Sequence, residues 1–137
     1  MDSKFKKWDI VIADLPKKRG SVQYGKRPAV IIQGNVGNLY SPTLLVIPLT
    51  KKIKNLNQPT HTLIRKDEMN GLKHDSMLLA EQMTTVDKES VEKMGNICDP
   101  ATRNKIFTCF VNSSVYGDPE APQMILVKGG RASCIAR

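Results

Sequence analysis

Gly25-Lys26-Arg27-Pro28-Ala29-Val30-Ile31-Ile32-Gln33 runs from a basic, glycine-led turn straight into four apolar side chains, three of them β-branched. A strand that is apolar on both faces belongs in the middle of a closed or sandwiched sheet, because a half-solvated strand alternates polar with apolar residues. Thr43-Leu44-Leu45-Val46-Ile47-Pro48-Leu49 has the same character and ends in a kink at Pro48, ahead of the basic segment Lys51-Lys52-Ile53-Lys54. Upstream, Trp8-Asp9-Ile10-Val11-Ile12-Ala13-Asp14-Leu15 mixes alternation with β-branching and stops at Pro16. Strands are therefore expected at 8–15, 28–33 and 43–49. Between the first two, residues 17–26 read as a cationic hairpin loop carrying Lys17, Lys18, Arg19 and Lys26, and Gly34 to Asn38 read as a turn rich in Gly and Asn.

Further along, residues 60–65 alternate and residues 76–82 carry Met-Leu-Leu-Ala, giving a fourth and a fifth strand with the Asn70-Gly71 turn between them. Asp87 is expected to cap a short helical turn through Met94. Asp99-Pro100 is a stronger helix start, and Ile106, Phe107, Phe110 and Val111 beyond it share one helical stripe. Five or more short strands, long turns and one late helix, without strand–helix alternation, give a mainly β chain with a C-terminal helix (α+β). The expected architecture is an antiparallel barrel or strongly curved sheet with the helix packed on it.

At 137 residues the chain has the size of one domain with one modest core. Twenty-one Lys and Arg against 13 Asp and Glu give a formal charge of +8, which attracts polyanions, nucleic acid being the commonest. Three Phe, three Tyr and one Trp are too few for the aromatic platform of a general single-strand binder, so recognition would rest on hydrogen bonds and phosphate contacts. Cys98, Cys109 and Cys134 are odd in number and widely spaced, suggesting reduced thiols rather than disulfides or a metal site. No apolar run approaches the roughly 18 residues that cross a bilayer, and residues 1–7 are polar and basic, so the expectation is a cytoplasmic protein with no membrane partner. No nucleotide-binding glycine pattern occurs, and the paired acids Asp67-Glu68 and Asp87, Glu89, Glu92 fall in turn or helix-surface patterns; no cofactor and no metal are implied.

Taken in order, Gly25-Lys26-Arg27-Pro28, Asn38-Leu39-Tyr40-Ser41-Pro42-Thr43, Pro48-Leu49-Thr50, Pro59-Thr60-His61, Asp75-Ser76 and Glu81-Gln82 resemble the MazF/PemK family of toxins over roughly residues 8–110. The resemblance implies a small SH3-like barrel of the MazF/PemK/CcdB type that pairs into a homodimer. It also implies a sequence-selective, metal-independent endoribonuclease that cuts single-stranded RNA, the toxin of a type II toxin–antitoxin pair. Its partner would be an antitoxin whose acidic C-terminal segment lies over the Arg27 groove. The alternative, from a related barrel, is a CcdB-like toxin that binds DNA gyrase without catalysis; retention of Arg27 and Thr50 argues against it. Beyond Val115 the resemblance stops, so a toxin domain is expected over residues 1–116 and an unassigned extension over 117–137. In the extension, Met124 to Val127 reads either as a strand or, with Lys128-Gly129-Gly130-Arg131, as a mobile tail.

By the resemblance, Arg27 and Thr50 are the catalytic pair. RNA can be cut by its own 2′-hydroxyl, which attacks the adjacent phosphorus and leaves a 2′,3′-cyclic phosphate and a 5′-hydroxyl. That reaction needs a proton acceptor, a proton donor and positive charge at the phosphoryl oxygens. A guanidinium supplies the charge in a planar fork that matches phosphate, while a threonine hydroxyl orients or relays a proton. Which group acts as acid and which as base stays open. Gly25 allows close backbone approach, Lys26 suits a phosphate, and Asn38, Ser76, Glu81 and Gln82 offer groups that read unpaired base edges, or else serve as scaffold. His61 and His74 are expected in supporting rather than catalytic roles. Gly34-Asn35 stands where relatives often have Asn-Asp, and Thr84 where they often have Arg, so no cleavage sequence carries over.

Overall fold

The computed structural model describes residues 4–120, 123–126 and 132–135. Its main sheet contains β1 (Asp9–Leu15), β2 (Gly25–Ile31), β3 (Thr43–Thr50), β4 (His61–Ile64), β5 (Ser76–Leu79), β6 (Thr84–Asp87) and β7 (Glu92–Asn96). Two helices, α1 (Asn35–Tyr40) and α2 (Pro100–Val115), and a separate hairpin of β8 (Gln123–Leu126) with β9 (Ala132–Ile135) complete the described elements. All pairings are antiparallel, in the order β4-β5-β3-β2-β1-β7, with β6 also on β3. The sheet curves strongly but stays open between its edge strands β4 and β7.

The apolar runs bury both faces, as their composition predicts. Val30, Ile47 and Leu49 join Ile10, Leu78, Ile106 and Cys109 in one cluster under α2, while Ala29, Ile31, Leu44 and Val46 join Phe5, Val11, Ala13 and Val91 on the other face. Each fully buried Ile or Leu contributes about 1.5–3 kcal/mol of transfer free energy, so the central strands supply much of the stability. Helix α2 starts where Asp99 and Pro100 place it: the Asp99 carboxylate accepts from the N–H groups of Ala101 and Thr102 and from the Thr102 hydroxyl.

Curvature is built at one corner. Strand β3 pairs with β6 through Thr43–Val46 and with β5 through Leu49–Thr50, and between the two the register slips by three residues. The extra chain is the 3-10 turn Ala80–Gln82, which brings Glu81 and Gln82 to the surface beside the end of β3. Pro48 sits at the change of partner, its missing N–H leaving no ladder bond to break there.

Three local expectations are corrected. The helical turn that Asp87 caps is shorter than expected: the Asp87 carboxylate accepts from the Glu89 N–H, but the 3-10 turn ends at Ser90 and the chain then pairs with β1 as β7 instead of staying helical to Met94. Gly34 to Asn38 is not an open turn but the start of α1, which closes over the buried Asn38. Strand β2 begins at Gly25, so Lys26 and Arg27 belong to the ladder with β1 rather than to the loop. Met124 does lie in a strand, β8; the remainder of that reading, residues 127–131, lies outside the described residues.

The cysteines differ sharply. Cys109 is buried under the sheet, and that burial, reinforced by the Glu81 carboxylate, pushes its thiol up from the ordinary value. Cys98 is exposed. Alkylation of the native protein with iodoacetamide near pH 8 should modify Cys98 at least about tenfold faster than Cys109, read by peptide mass. Equal rates would mean that α2 does not pack as described.

Candidate active site

Arg27 and Thr50 come together because β2 and β3 are paired. Their ladder runs Ile31–Val46, Val30–Ile47, Ala29–Pro48. Continued by two residues, the same register sets Arg27 opposite Thr50, on the face that also carries Ala29, Ile31 and Val46. The guanidinium reaches that end of β3: Nη1 is 3.5 Å from the Leu49 carbonyl oxygen. Thr50 is buried to 9% exposure, and its hydroxyl oxygen accepts from the Lys52 N–H at 3.2 Å.

The β1–β2 loop wraps this arginine. Gly25 has φ of 83°, a conformation natural to glycine, and turns the chain so that the Tyr24 carbonyl accepts from Arg27 Nε at 2.9 Å and Nη2 at 2.7 Å. Arg27 Nη1 also donates to the Gln23 side-chain oxygen. The loop is pinned in turn by Gln82, whose Oε1 accepts from the Gln23 N–H at 2.6 Å and whose Nε2 donates to the Ser21 carbonyl at 3.1 Å. Gln23 was not legible as a site residue; it lies in a loop whose only sequence signal is charge.

Beside this group lies a second one. Glu81 Oε2 is 2.8 Å from His61 Nε2, and its Oε1 accepts from the Thr60 hydroxyl at 3.1 Å. His61 Nδ1 is 3.0 Å from the Asn55 carbonyl oxygen. Both partners of the ring accept, so it donates to both at once only with hydrogen on each nitrogen. This clasp ties the β3–β4 loop, with its exposed Lys51, Lys52 and Lys54, to the corner at Glu81. The two cationic loops thus flank the Arg27–Thr50 end of the sheet.

The other expected site residues divide. Lys26 is exposed and pairs across to Asp14, alternating away from Arg27. Asn38 serves the scaffold in this structure: it is fully buried, its amide donating to the Gln33 carbonyl and its Oδ1 accepting from Gln33 Nε2. Ser76 is likewise buried, its hydroxyl donating to the His74 carbonyl. His74 is exposed at the start of β5. Among the described residues no three His, Cys, Asp or Glu side chains converge as metal ligands.

A curved antiparallel sheet with an arginine and a threonine at one end, flanked by lysine-rich loops, defines a small β protein with a cationic edge. Its relatives make the class specific: residues 6–113 match the PemK-like, MazF-like toxins of type II toxin–antitoxin systems, and the chain belongs to that family. It is 44% identical over 92 residues to Endoribonuclease MazF of Staphylococcus saprophyticus subsp. saprophyticus, covering 66% of this chain and 76% of that protein. Among solved structures it is similar to a mycobacterial endoribonuclease in complex with its cognate antitoxin, with TM-score 0.64, 22% identity and coverage of 79% of this chain and 92% of the other. MazF from Deinococcus radiodurans aligns with TM-score 0.63 and 16% identity, covering 77% of this chain and 91% of that one. These two likenesses establish the fold.

Proposed function

We propose that this chain is an endoribonuclease toxin of a type II toxin–antitoxin system, and that Arg27 and Thr50 flank the scissile phosphate of single-stranded RNA. The observation that carries the reading is the approach of the Arg27 guanidinium to the Leu49 carbonyl at the end of β3, the strand whose last residue is Thr50. The 2′-oxygen attacks phosphorus, the bond from phosphorus to the 5′-oxygen breaks, the 2′ proton leaves to an acceptor and the 5′-oxygen takes one up. The products are a 2′,3′-cyclic phosphate and a 5′-hydroxyl. Arg27 meets the charge that grows on the phosphoryl oxygens. To do so its N–H groups exchange the Tyr24 carbonyl and the Gln23 amide oxygen for phosphate oxygens, acceptors that carry full charge and bind a guanidinium more strongly.

Gly25 sets the turn behind Arg27, Lys26 and the β3–β4 lysines attract the backbone of the strand, and Glu81 and Gln82, at the corner beside the end of β3, offer polar groups to a base next to the cut. An antitoxin with an acidic C-terminal segment would occupy the same cationic edge, and its folding on binding would cover much surface at a cost in ordering entropy. The active form in this reading is a homodimer acting in the cytoplasm, where its messenger RNA substrates are. No helix among the described residues is long and apolar enough to cross a membrane.

Purified protein is expected to cut an unpaired RNA in excess EDTA as fast as without it. RNA left whole would overturn the enzymatic reading, and cleavage lost to EDTA would overturn the metal-independent one. Thr50→Ala should lower kcat about 10- to 10²-fold, within the usual range for a positioned proton-transfer group, while Thr50→Ser keeps most activity. A Thr50→Ala enzyme as fast as the parent would remove the hydroxyl from the mechanism.

A further inference from the structure

A phosphate that binds a guanidinium in its plane takes two adjacent donors, either the Nε–Nη2 pair or the Nη1–Nη2 pair. On Arg27 neither pair is wholly free. The Tyr24 carbonyl accepts from Nε at 2.9 Å and from Nη2 at 2.7 Å, and the Gln23 side-chain oxygen accepts from Nη1. Each pair therefore contains a nitrogen that already donates within the chain. The Leu49 carbonyl, 3.5 Å from Nη1, is too distant to hold it strongly.

The two acceptors differ in how readily they leave. Tyr24 offers a main-chain carbonyl, fixed by Gly25 at φ of 83° and by the ladder that starts at the Leu15–Gly25 pair. Gln23 offers the end of a half-buried side chain that can turn about its own rotatable bonds. Its backbone is held independently of that side chain: the Gln23 N–H donates to Gln82 Oε1 at 2.6 Å, and two residues earlier the Ser21 carbonyl accepts from Gln82 Nε2 at 3.1 Å. The amide can thus swing away while the loop stays in place. We infer that Gln23 is an internal ligand of Arg27, its amide oxygen holding the position of one phosphoryl oxygen until a strand arrives, so that residue 23 sets how tightly phosphate binds. The inference rests on the proposed role of Arg27 and adds to it the group that competes for the guanidinium. A neutral amide oxygen yields to a phosphoryl oxygen because the latter carries charge. A carboxylate at the same position would hold the guanidinium as firmly as the phosphate does, and would repel the phosphate as well.

Binding of a fluorescein-labelled, all-2′-deoxy single strand, which has no attacking hydroxyl, tests this in the full-length chain by anisotropy at fixed low salt with EDTA. Gln23→Ala should bind about two- to tenfold more tightly than the parent, the range that one net hydrogen bond spans. Gln23→Glu should bind at least about tenfold more weakly. In an Arg27→Ala background the gain from Gln23→Ala should vanish, because the competition is for that guanidinium. A Gln23→Ala protein that binds no more tightly than the parent, a gain that persists without Arg27, or a Gln23→Glu protein that binds as well as the parent would each overturn the inference. If Arg27→Ala alone left the affinity unchanged, the assignment of phosphate to Arg27 would fail and the inference with it; weakened binding in Arg27→Ala with no gain from Gln23→Ala would sink the inference alone. Phenylglyoxal gives a check without any strand. It should modify Arg27, read by peptide mass, about two- to tenfold faster in Gln23→Ala than in the parent, and equal rates would contradict the contact.

Discussion

Arg27→Ala is expected to lower the rate of RNA cleavage by at least about 10²- to 10³-fold, the usual loss when a donor aimed at developing negative charge is removed. Its fold should survive. The guanidinium is only half-buried, and its acceptors at Tyr24, Gln23 and Leu49 lie at a solvent-facing edge where water can replace it, so the stability cost is of the order of one hydrogen bond, about 1 kcal/mol. Loss of activity with an unchanged melt therefore separates catalysis from folding. Arg27→Lys keeps charge without the paired donors and should recover only a part of the lost rate, because an ammonium cannot hold two phosphoryl oxygens in a plane. Full activity in correctly folded Arg27→Ala protein would show that the clamp is wrong.

The largest effect on stability is expected from Gly95→Ala. The β1–β7 register shifts between Ile10 and Val11, leaving Met94 as the extra residue of a bulge, and Gly95 next to it presses against the turn at Met69 and Asn70. A Cβ there would meet the Met69 carbonyl oxygen and lie 2.6 Å from that of Asn70, both backbone atoms with no rotamer to escape into. That turn is itself fixed: the buried Asn70 amide donates to the Arg65 carbonyl and its Oδ1 accepts from the Asp67 and Leu72 N–H groups. Either the turn or β7 must move, and the cost should be about 3 kcal/mol or more, at the upper end of overpacking effects. Urea unfolding measures it directly. A loss below about 0.5 kcal/mol would mean that β7 does not lie against this turn, since surface substitutions have effects of that size.

The central sheet and α2 could be read in advance because their signals are local: unbroken β-branched runs for β2 and β3, and a capping Asp99 with Pro100 for the helix. The family resemblance reached Arg27 and Thr50. Pairing of β2 with β3 then explains how two residues 23 positions apart in sequence are brought to the same end of the sheet. What sequence could not supply depends on tertiary partners. The strand at Glu92–Asn96 carries no alternation and exists because β1 offers it an edge. Asn38 and Ser76 look like ligand-reading groups by type, yet each closes a local hydrogen bond in the interior. Gln82 looks like a base reader and also holds the loop that holds Arg27. Polar residues at corners are ambiguous in this way, because the same amide that contacts a base can satisfy a backbone group.

An RNA carrying a single 2′-deoxy sugar at the nucleotide on the 5′ side of the mapped cut tests the proposed attack most directly, with the all-ribose strand as reference and EDTA in both. If the strand's own hydroxyl is the nucleophile and Arg27 with Thr50 receives the resulting charge, the modified strand binds with similar affinity but stays whole, and the reference yields a 2′,3′-cyclic phosphate end. Cleavage of the modified strand at the same position and a comparable rate would contradict the account, because the attacking oxygen would then have come from elsewhere.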